Sequence, residues 1–483
     1  MTSRPPFART DVALVASAIG VVLLVMSPFY GPHRDELYFA SAGQRLAWGY
    51  PDQPSLVPWL ARMSTEVDPH NLVLLRLPSL VTVCLVVVLA ALTARLLGGA
   101  RRGQVLAALA TGTAGVVIAV GHRLSTQTID VAAWAAVALI AGHALHDERP
   151  RLWLAAGLVA GIGLNAKHDL AVCLLGLFAG VVLTPTTRHH LRTPWLWLGG
   201  LVALLLWLPN LLWQAANGWP VLELSADIAE EYGGLAGTAE YLLVPLVMFS
   251  PLMTVVWLIG LRGLLRRPEW ASLRPLGWMF LVTFLFFLIS NGKAYYLAGA
   301  IVPLLAAGCV LVAERVQRFV TVAVVLAASA VVAWPALVPV LPASTYAGSF
   351  YPLIDQDQLE TIGWPEFVDT VSEALEPLPD DAIVFTGNYG EAGALEWYDV
   401  HARIYSGHNG WGDWGPPPDD AGPVVVVGHG QVAPGDFVDC QRAGTVPTVD
   451  DADNEEAGGA VWVCAGPRRP WSQLWPSLVH LDA

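Results

Sequence analysis

Lysine is almost missing from this chain: of its 26 basic residues only Lys167 and Lys293 are lysines, and the rest are arginines. Charge of either sign is scarce, at 14% of residues, while 55% are hydrophobic and the mean hydropathy is +0.52. That balance excludes an ordinary soluble globular protein. Cysteine is limited to five residues, and no Cys or His spacing suits a zinc site. A dinucleotide-binding glycine pattern is also absent, since the GNYG stretch at 387–390 lacks the G-x-G-x-x-G spacing. No nucleic-acid partner is implied.

What the chain has in abundance is long apolar sequence. A spanning helix needs about 20 mostly apolar residues. Such runs recur from about residue 11 to about residue 341 and predict about eleven transmembrane helices, near 11–29, 71–96, 103–121, 127–144, 151–166, 169–184, 194–214, 241–261, 274–290, 294–312 and 318–341. The two at 151–184 are short, and Lys167, His168 and Asp169 between them mark either a kink or a turn. The first segment is long and has no small-residue cleavage site before Pro28, so it is expected to remain as a span. With the N-terminus cytoplasmic, about fifteen basic residues fall in inner loops and about seven at outer ends, the asymmetry expected of short cytoplasmic loops. An odd number of spans then places everything after about residue 342 outside the plasma membrane.

That outer part has a different composition, with 23 acidic residues against four arginines from residue 343 onward, compared with 17 acids and 22 bases before it. The acidity reads as a solvated surface. The short apolar runs AIVFTG (382–387) and PVVVVGHG (423–430) read as buried strands, and EAGALEWY (391–398) as a helix between them. The expected fold is thus an α-helical polytopic membrane protein, residues 1–342 with a first outer loop at 30–70, followed by an extracytoplasmic α/β domain at 343–483. Cys440 and Cys464 are the only cysteines of the outer part, where a disulfide can form and persist. Cys84, Cys173 and Cys309 fall in spans and read as small core residues.

Under this topology Asp35, Glu36, Asp52, Arg123, Asp130, Lys167 and Lys293 all collect at the outer face. Asp35 and Glu36 stand side by side just after the first span, where ionisable groups lose solvation and usually have a role. A compact ammonium that reaches a phosphate oxygen is one reason to keep two lysines in a chain that otherwise uses arginine; snorkelling at the interface is the other.

These residues sit in stretches with a family likeness. HRDELYF after the first span, GYPDQPSL, Thr126 to Asp130 at a helix start, GIGLNAKHDLAV, NGKAYYLAGAIVP, and the outer GNYGEAGALEWY and SGHNGWGDWGPP together resemble the GT-C class of polytopic glycosyltransferases. The likeness is to the branch that includes protein O-mannosyltransferases and the bacterial aminoarabinose transferase of lipid A. The resemblance implies transfer of a sugar from a polyprenyl-phosphate donor in the bilayer to an acceptor hydroxyl or amine on an envelope glycan, a glycolipid or a secreted protein. It implies Asp35 as the catalytic base, with inversion. Glu36 either orients that loop or holds a cation, or is a helix N-terminal carboxylate facing the macrodipole. Lys167 and Lys293 match basic positions of the family and, with Arg34 and Arg123, are the candidates for the leaving phosphate. Asp130 matches a second acidic position that binds a metal, an arginine or the sugar, unless it is an N-cap.

One departure is clear. Where the aminoarabinose transferases have an acid, a lysine and two prolines, this chain has Asp52, Gln53, Pro54 and Ser55. Oxygen ligands from Asp35, Glu36 or Asp52 would suit magnesium or manganese, though no motif requires an ion. Trp411 and Trp414, near His408 and Asn409, offer aromatic faces either for a sugar ring or for packing onto the membrane part. His33 precedes the acidic pair and either assists proton transfer or simply forms a hydrogen bond. The rival readings are a transporter or lipid flippase, which would place charge near the bilayer midplane, and a non-catalytic assembly partner with the same fold.

Overall fold

The computed structural model describes residues 4–428 and 434–482, so His429 and Gly430 of the second apolar run lie outside the described residues. The membrane part is built from α1 (Arg9–Met26), α2 (Arg34–Gln44), α3 (Leu56–Val67), α4 (Leu72–Leu96), α5 (Arg101–Thr113), α6 (Gly115–His122), α7 (Thr126–His146), α8 (Leu152–Leu164), α9 (Leu170–Leu183), α10 (Pro194–Ala216), α11 (Pro220–Glu231), α12 (Gly234–Val247), α13 (Pro251–Arg266), α14 (Arg274–Ile289), α15 (Ala298–Arg315) and α16 (Phe319–Val331). Among the described residues, seven helices are long and apolar enough to cross a membrane, or up to ten if three bent pairs each count as one span; α8 is a shorter apolar helix. Nine of the eleven segments expected from sequence fall on one helix each, and two fall on a bent pair. Large apolar side chains such as Leu14, Val81, Leu175 and Leu205 are exposed on their outward faces, a surface suited only to lipid.

Two segments differ from a straight span. The expected 241–261 helix is α12 and α13 meeting at 90°, and the 103–121 helix is α5 and α6 meeting at 56°. Pro251 lacks a backbone N–H, and the Ser250 hydroxyl accepts from the Met253 N–H at 3.2 Å, starting a new helix there. The two breaks satisfy each other: the Gly115 and Val116 N–H groups donate to the carbonyls of Phe249 and Met248 at 3.2 and 2.8 Å. Unpaired backbone at membrane depth is thereby avoided. The helices α7 and α15 run through the middle, 78% and 83% buried over their spanning windows. Close packing there relies on small residues: a Cβ on Gly260 of α13 or Gly308 of α15 would lie 1.9 Å from a carbonyl oxygen of the other helix.

The part after residue 342, expected from the sequence to be extracytoplasmic and called the outer domain for that reason, carries a five-stranded sheet in the order β2-β1-β3-β6-β5, formed by β1 (Ile383–Thr386), β2 (Arg403–Ser406), β3 (Val424–Gly428), β5 (Gln441–Thr445) and β6 (Ala460–Cys464); β4 (Phe437–Val438) pairs separately with β7 (Gly466–Pro467). Parallel pairing of β1 with β2 and β3 gives way to antiparallel pairing at β6 and β5. Helix α17 (Trp364–Leu375) covers one face, and α18 (Tyr389–Trp397) connects β1 to β2. Cys440 and Cys464 form a disulfide, whereas Cys173 and Cys309 are buried core residues and Cys84 is half-buried.

The sheet does not stand apart from the first outer loop. Leu37, Tyr38, Val57 and Leu75 share one apolar core with Trp364, Phe367, Val384, Leu395 and Val425. Helix α18 lies against α2 through a face of small residues: a Cβ on Gly390 would meet Arg34 at 2.8 Å, and one on Gly393 would meet Leu37 at 2.9 Å.

Candidate active site

The local sequence explains why Asp35 and Glu36, though adjacent, have different surroundings. His33 is the N-cap of α2, with Nδ1 accepting from the Asp35 N–H at 3.2 Å, and Glu36 at the third helical position closes a capping box by accepting from the His33 N–H at 2.9 Å. Glu36 is fully buried and bound by Arg76 of α4, at 3.0 Å to Oε1 and 2.7 Å to Oε2, while the Leu124 N–H donates at 2.8 Å. Burial alone would raise this carboxyl, but Arg76 and the two backbone donors hold it below its usual range. Arg76 also donates to the carbonyls of Ser27 and Gly31, at 2.7 and 2.9 Å. Glu36 therefore fastens the first loop; its oxygens are spent on Arg76 and backbone donors and face neither substrate nor cation.

Asp35 points the other way. Its side chain is 46% exposed, and Oδ1 accepts from the Tyr389 hydroxyl at 2.9 Å. Tyr389 stacks on Tyr38 with ring centroids 4.9 Å apart, and the Tyr38 hydroxyl donates to Asp52 Oδ1 at 2.8 Å. Asn409 reaches the other Asp52 oxygen at 3.4 Å. Burial pushes the Asp52 carboxyl up to about 7, against the opposing Tyr38 bond. The outer domain thus supplies a partner to each of the two first-loop acids.

Arg34, Arg123 and Lys293 lie close enough to Asp35 for their charges to interact with it, and Lys167 neighbours Lys293. Lys167, in the turn between α8 and α9, donates to Gln127, stands 3.6 Å from Asp169 and lies over the Tyr296 ring at 4.3 Å. Lys293 stands over the Tyr232 ring at 5.2 Å. Burial holds the Lys293 ammonium below its usual value, Glu231 opposes this, Lys167 adds to it, and Asp35 and Asp357 oppose it, so these charges are close enough to act on one another. Arg123 forms an ion pair with Asp357, whose carboxyl it pulls down to about 2. Arg34 pairs with Glu455 and lies over the Tyr389 ring at 4.9 Å. Both arginines are already matched by acids, Arg123 by Asp357 of the segment after the last span and Arg34 by Glu455 of the β5–β6 loop, whereas neither lysine has a carboxylate within hydrogen-bond distance among the described residues.

Asp130 is fully buried on α7. Its Oδ1 accepts from the Trp134 indole at 2.7 Å, and its other side-chain partner is the Asp169 carboxyl. It is not a cap, because Ser125 caps α7 by accepting from the Gln127 N–H at 3.1 Å. Asp169 lies next to it. Trp411 and Trp414 pack on each other with centroids 4.8 Å apart and both contact Arg45, whose guanidinium carbon is 4.9 and 4.4 Å from their rings; they line a cavity of about 710 Å³ with Glu396, His401 and Tyr405. That cavity is at the C-terminal end of α2, about 15 Å from Asp35 at 1.5 Å per helical residue. Trp411 is buried and Trp414 half-buried. His408 lies elsewhere, buried between Tyr389 and His480, and burial lowers it to about 3.

Of Asp35, Glu36 and Asp52, Glu36 is taken up by Arg76 and is not open to a metal ion. Among the described residues, two other groups could hold an ion: Glu148, His189 and His190, and Glu360, Glu455 and Glu456. In the first, the Trp153 indole donates to His190 Nδ1 at 3.2 Å, which leaves the proton of neutral His190 on Nε2, the nitrogen facing Glu148. A metal-binding histidine requires the reverse arrangement. Tyr389, Asp169, Asp357, Glu455 and Arg76 build the site yet were not selected from sequence. Only Arg76, a charge inside a long apolar run, carried a local signal.

The fold is similar to that of solved membrane glycosyltransferases of the GT-C class. Residues 52–213 match the family model described as dolichyl-phosphate-mannose-protein mannosyltransferase. The chain is similar to ArnT from Cupriavidus metallidurans in the apo state, with a TM-score of 0.64, 14% identity, and 95% of this chain and 98% of that one covered. For the same enzyme bound to undecaprenyl phosphate the TM-score is 0.60 and the identity 15%, over 95% and 98% of the two chains. The Archaeoglobus fulgidus oligosaccharyltransferase, tethered with an acceptor peptide, has a TM-score of 0.51 and 12% identity, over 82% of this chain and 63% of that one. No curated protein sequence matches the chain.

Proposed function

We propose that this protein transfers a hexosyl or pentosyl group from a polyprenyl-phosphate carrier to an acceptor hydroxyl or amine at the extracytoplasmic face. The observation that carries the reading is Asp35, half exposed at the N-terminus of α2, held by the Tyr389 hydroxyl with the charges of Arg123 and Lys293 acting on it. The acceptor oxygen or nitrogen attacks the anomeric carbon from the side opposite the phosphate. Its proton passes to the Asp35 carboxylate, the new glycosidic bond forms, and the carbon–oxygen bond to the phosphate breaks with inversion. The lipid phosphate leaves with its negative charge beside Lys167 and Lys293, where preformed positive charge helps most. Tyr389 is a positioning residue that fixes one Asp35 oxygen. A shared fold with an enzyme whose structure contains undecaprenyl phosphate supports a polyprenyl-phosphate donor. The missing lysine after Asp52 points away from lipid A as acceptor.

Transfer of radiolabel from a panel of polyprenyl-phosphate sugars to membrane acceptors, compared between wild type and Asp35→Asn, tests the reading. Label transfer that disappears in the variant, with expression and insertion intact, supports it. Transfer that persists removes Asp35 as base. No transfer from the whole panel by folded wild-type protein favours the transporter or assembly-partner alternative.

A further inference from the structure

We propose that Glu360, Glu455 and Glu456 form a binding site for a hard divalent cation, with calcium the best match. Glu360 follows the last span and the other two come from the loop between β5 and β6. They offer three carboxylate oxygens that all lie within 4.8 Å of one another. Oxygens on opposite sides of a calcium ion, each at about 2.4 Å, are separated by about that distance.

Two buried oxygens indicate that the cluster lacks a ligand. Glu456 is 4% exposed; its Oε1 accepts from Asn388 Nδ2 at 3.3 Å, but Oε2 has no hydrogen-bond partner. Glu360 Oε2, from a segment 96 residues earlier, is likewise buried with no hydrogen-bond partner of its own, although the Glu455 N–H and Arg34 act on that carboxyl. Buried carboxylate oxygens are normally paired, and a cation supplies what these two lack. The one guanidinium at hand, Arg34, pairs with Glu455.

The two segments are already held together. Asn454 Nδ2 donates to the carbonyls of Leu359 and Ile362 at 3.3 and 2.8 Å. An all-carboxylate set without nitrogen or sulfur suits calcium rather than zinc or copper, and calcium tolerates its irregular geometry better than magnesium does. A bound cation would link the segment after the last span, the β5–β6 loop and, through Glu455 and Arg34, the N-terminal end of α2. The inference does not depend on the proposed reaction, although the Glu455–Arg34 ion pair connects the two sites.

Equilibrium dialysis of the full-length, chelator-treated protein in detergent against ⁴⁵Ca²⁺ tests the proposal. The expected result is saturable binding of one calcium per chain, with a Kd of roughly 0.1–1 mM, as in extracellular calcium modules, and a Tm that rises over the same range. The isosteric Glu360→Gln/Glu456→Gln variant should bind roughly tenfold or more weakly and lose the Tm gain. Wild-type protein with no saturable binding overturns the proposal whether or not the variant folds. So does an unchanged Kd in the folded double variant or, if that variant does not fold, in Glu360→Gln alone.

Discussion

The Tyr389 hydroxyl donates to Asp35 Oδ1 at 2.9 Å, although the two residues are 354 positions apart in the chain. The carboxylate proposed as base belongs to the first outer loop and the group that holds it to the outer domain. Replacing Tyr389 with Phe keeps the ring stacked on Tyr38 and removes only the hydroxyl. A hydrogen bond to a charged group contributes about 1.5–3 kcal/mol, so kcat is expected to fall about tenfold or more. Tm and the donor KM should hold. Steady-state kinetics beside a thermal melt separate this outcome from general unfolding.

Glu36 and Arg76 make the opposite prediction. Breaking a buried ion pair by removing one partner destabilises by about 3–5 kcal/mol, so Glu36→Gln should lower Tm and yield before any effect on chemistry can be read. Asp35→Asn, one residue away, should leave Tm near wild type. Melts of the two variants side by side give the contrast.

Asp52 gives a pH signature. Burial raises its carboxyl to about 7 in the fold, against about 3.9 in an unfolded chain. The folded state therefore binds this proton more tightly. The associated stabilisation is complete below about pH 4 and is lost as pH rises toward 7. Asp52→Asn should remove this component and flatten the Tm profile between those values; an unchanged slope would show that Asp52 does not titrate there.

Lys167→Ala and Lys293→Ala should each weaken binding of the lipid phosphate, with the donor KM rising about tenfold, as expected when a charge-assisted contact of 1.5 kcal/mol or more is lost. Donor titration in the transfer assay reads this directly. An unchanged KM in both variants would end the assignment of the lysines to the phosphate.

The sequence placed the spans well because lipid imposes long apolar runs, and it exposed Asp35, Lys167 and Lys293 because charge is rare where they stand. Residue type and spacing alone did not distinguish Asp35 from Glu36; only the family resemblance singled out Asp35 as base. Successive helix residues point about 100° apart, so one is half exposed beside Tyr389 and the other faces Arg76, and that phase is set by the His33 cap. Tyr389, Asp357 and Glu455 were illegible for another reason: each lies in ordinary acidic or aromatic outer sequence and matters only through a partner more than 200 positions away. The break between α12 and α13 was marked by Ser250-Pro251, but its energetic sense depends on the matching break at Ala114, which a reading of one segment at a time does not pair with it.

Gly390 and Gly393 let α18 rest directly on α2, and Tyr389 is the residue beside that contact. The thickness of two helix backbones is therefore the gauge that sets the reach from the phenol to Asp35. A methyl group at position 393 would act as a shim, lifting the outer domain from the loop beneath it and lengthening a bond that neither residue touches through its own substitution. Tuning of the base can thus arise from the smallest side-chain change on a surface that has no chemistry of its own.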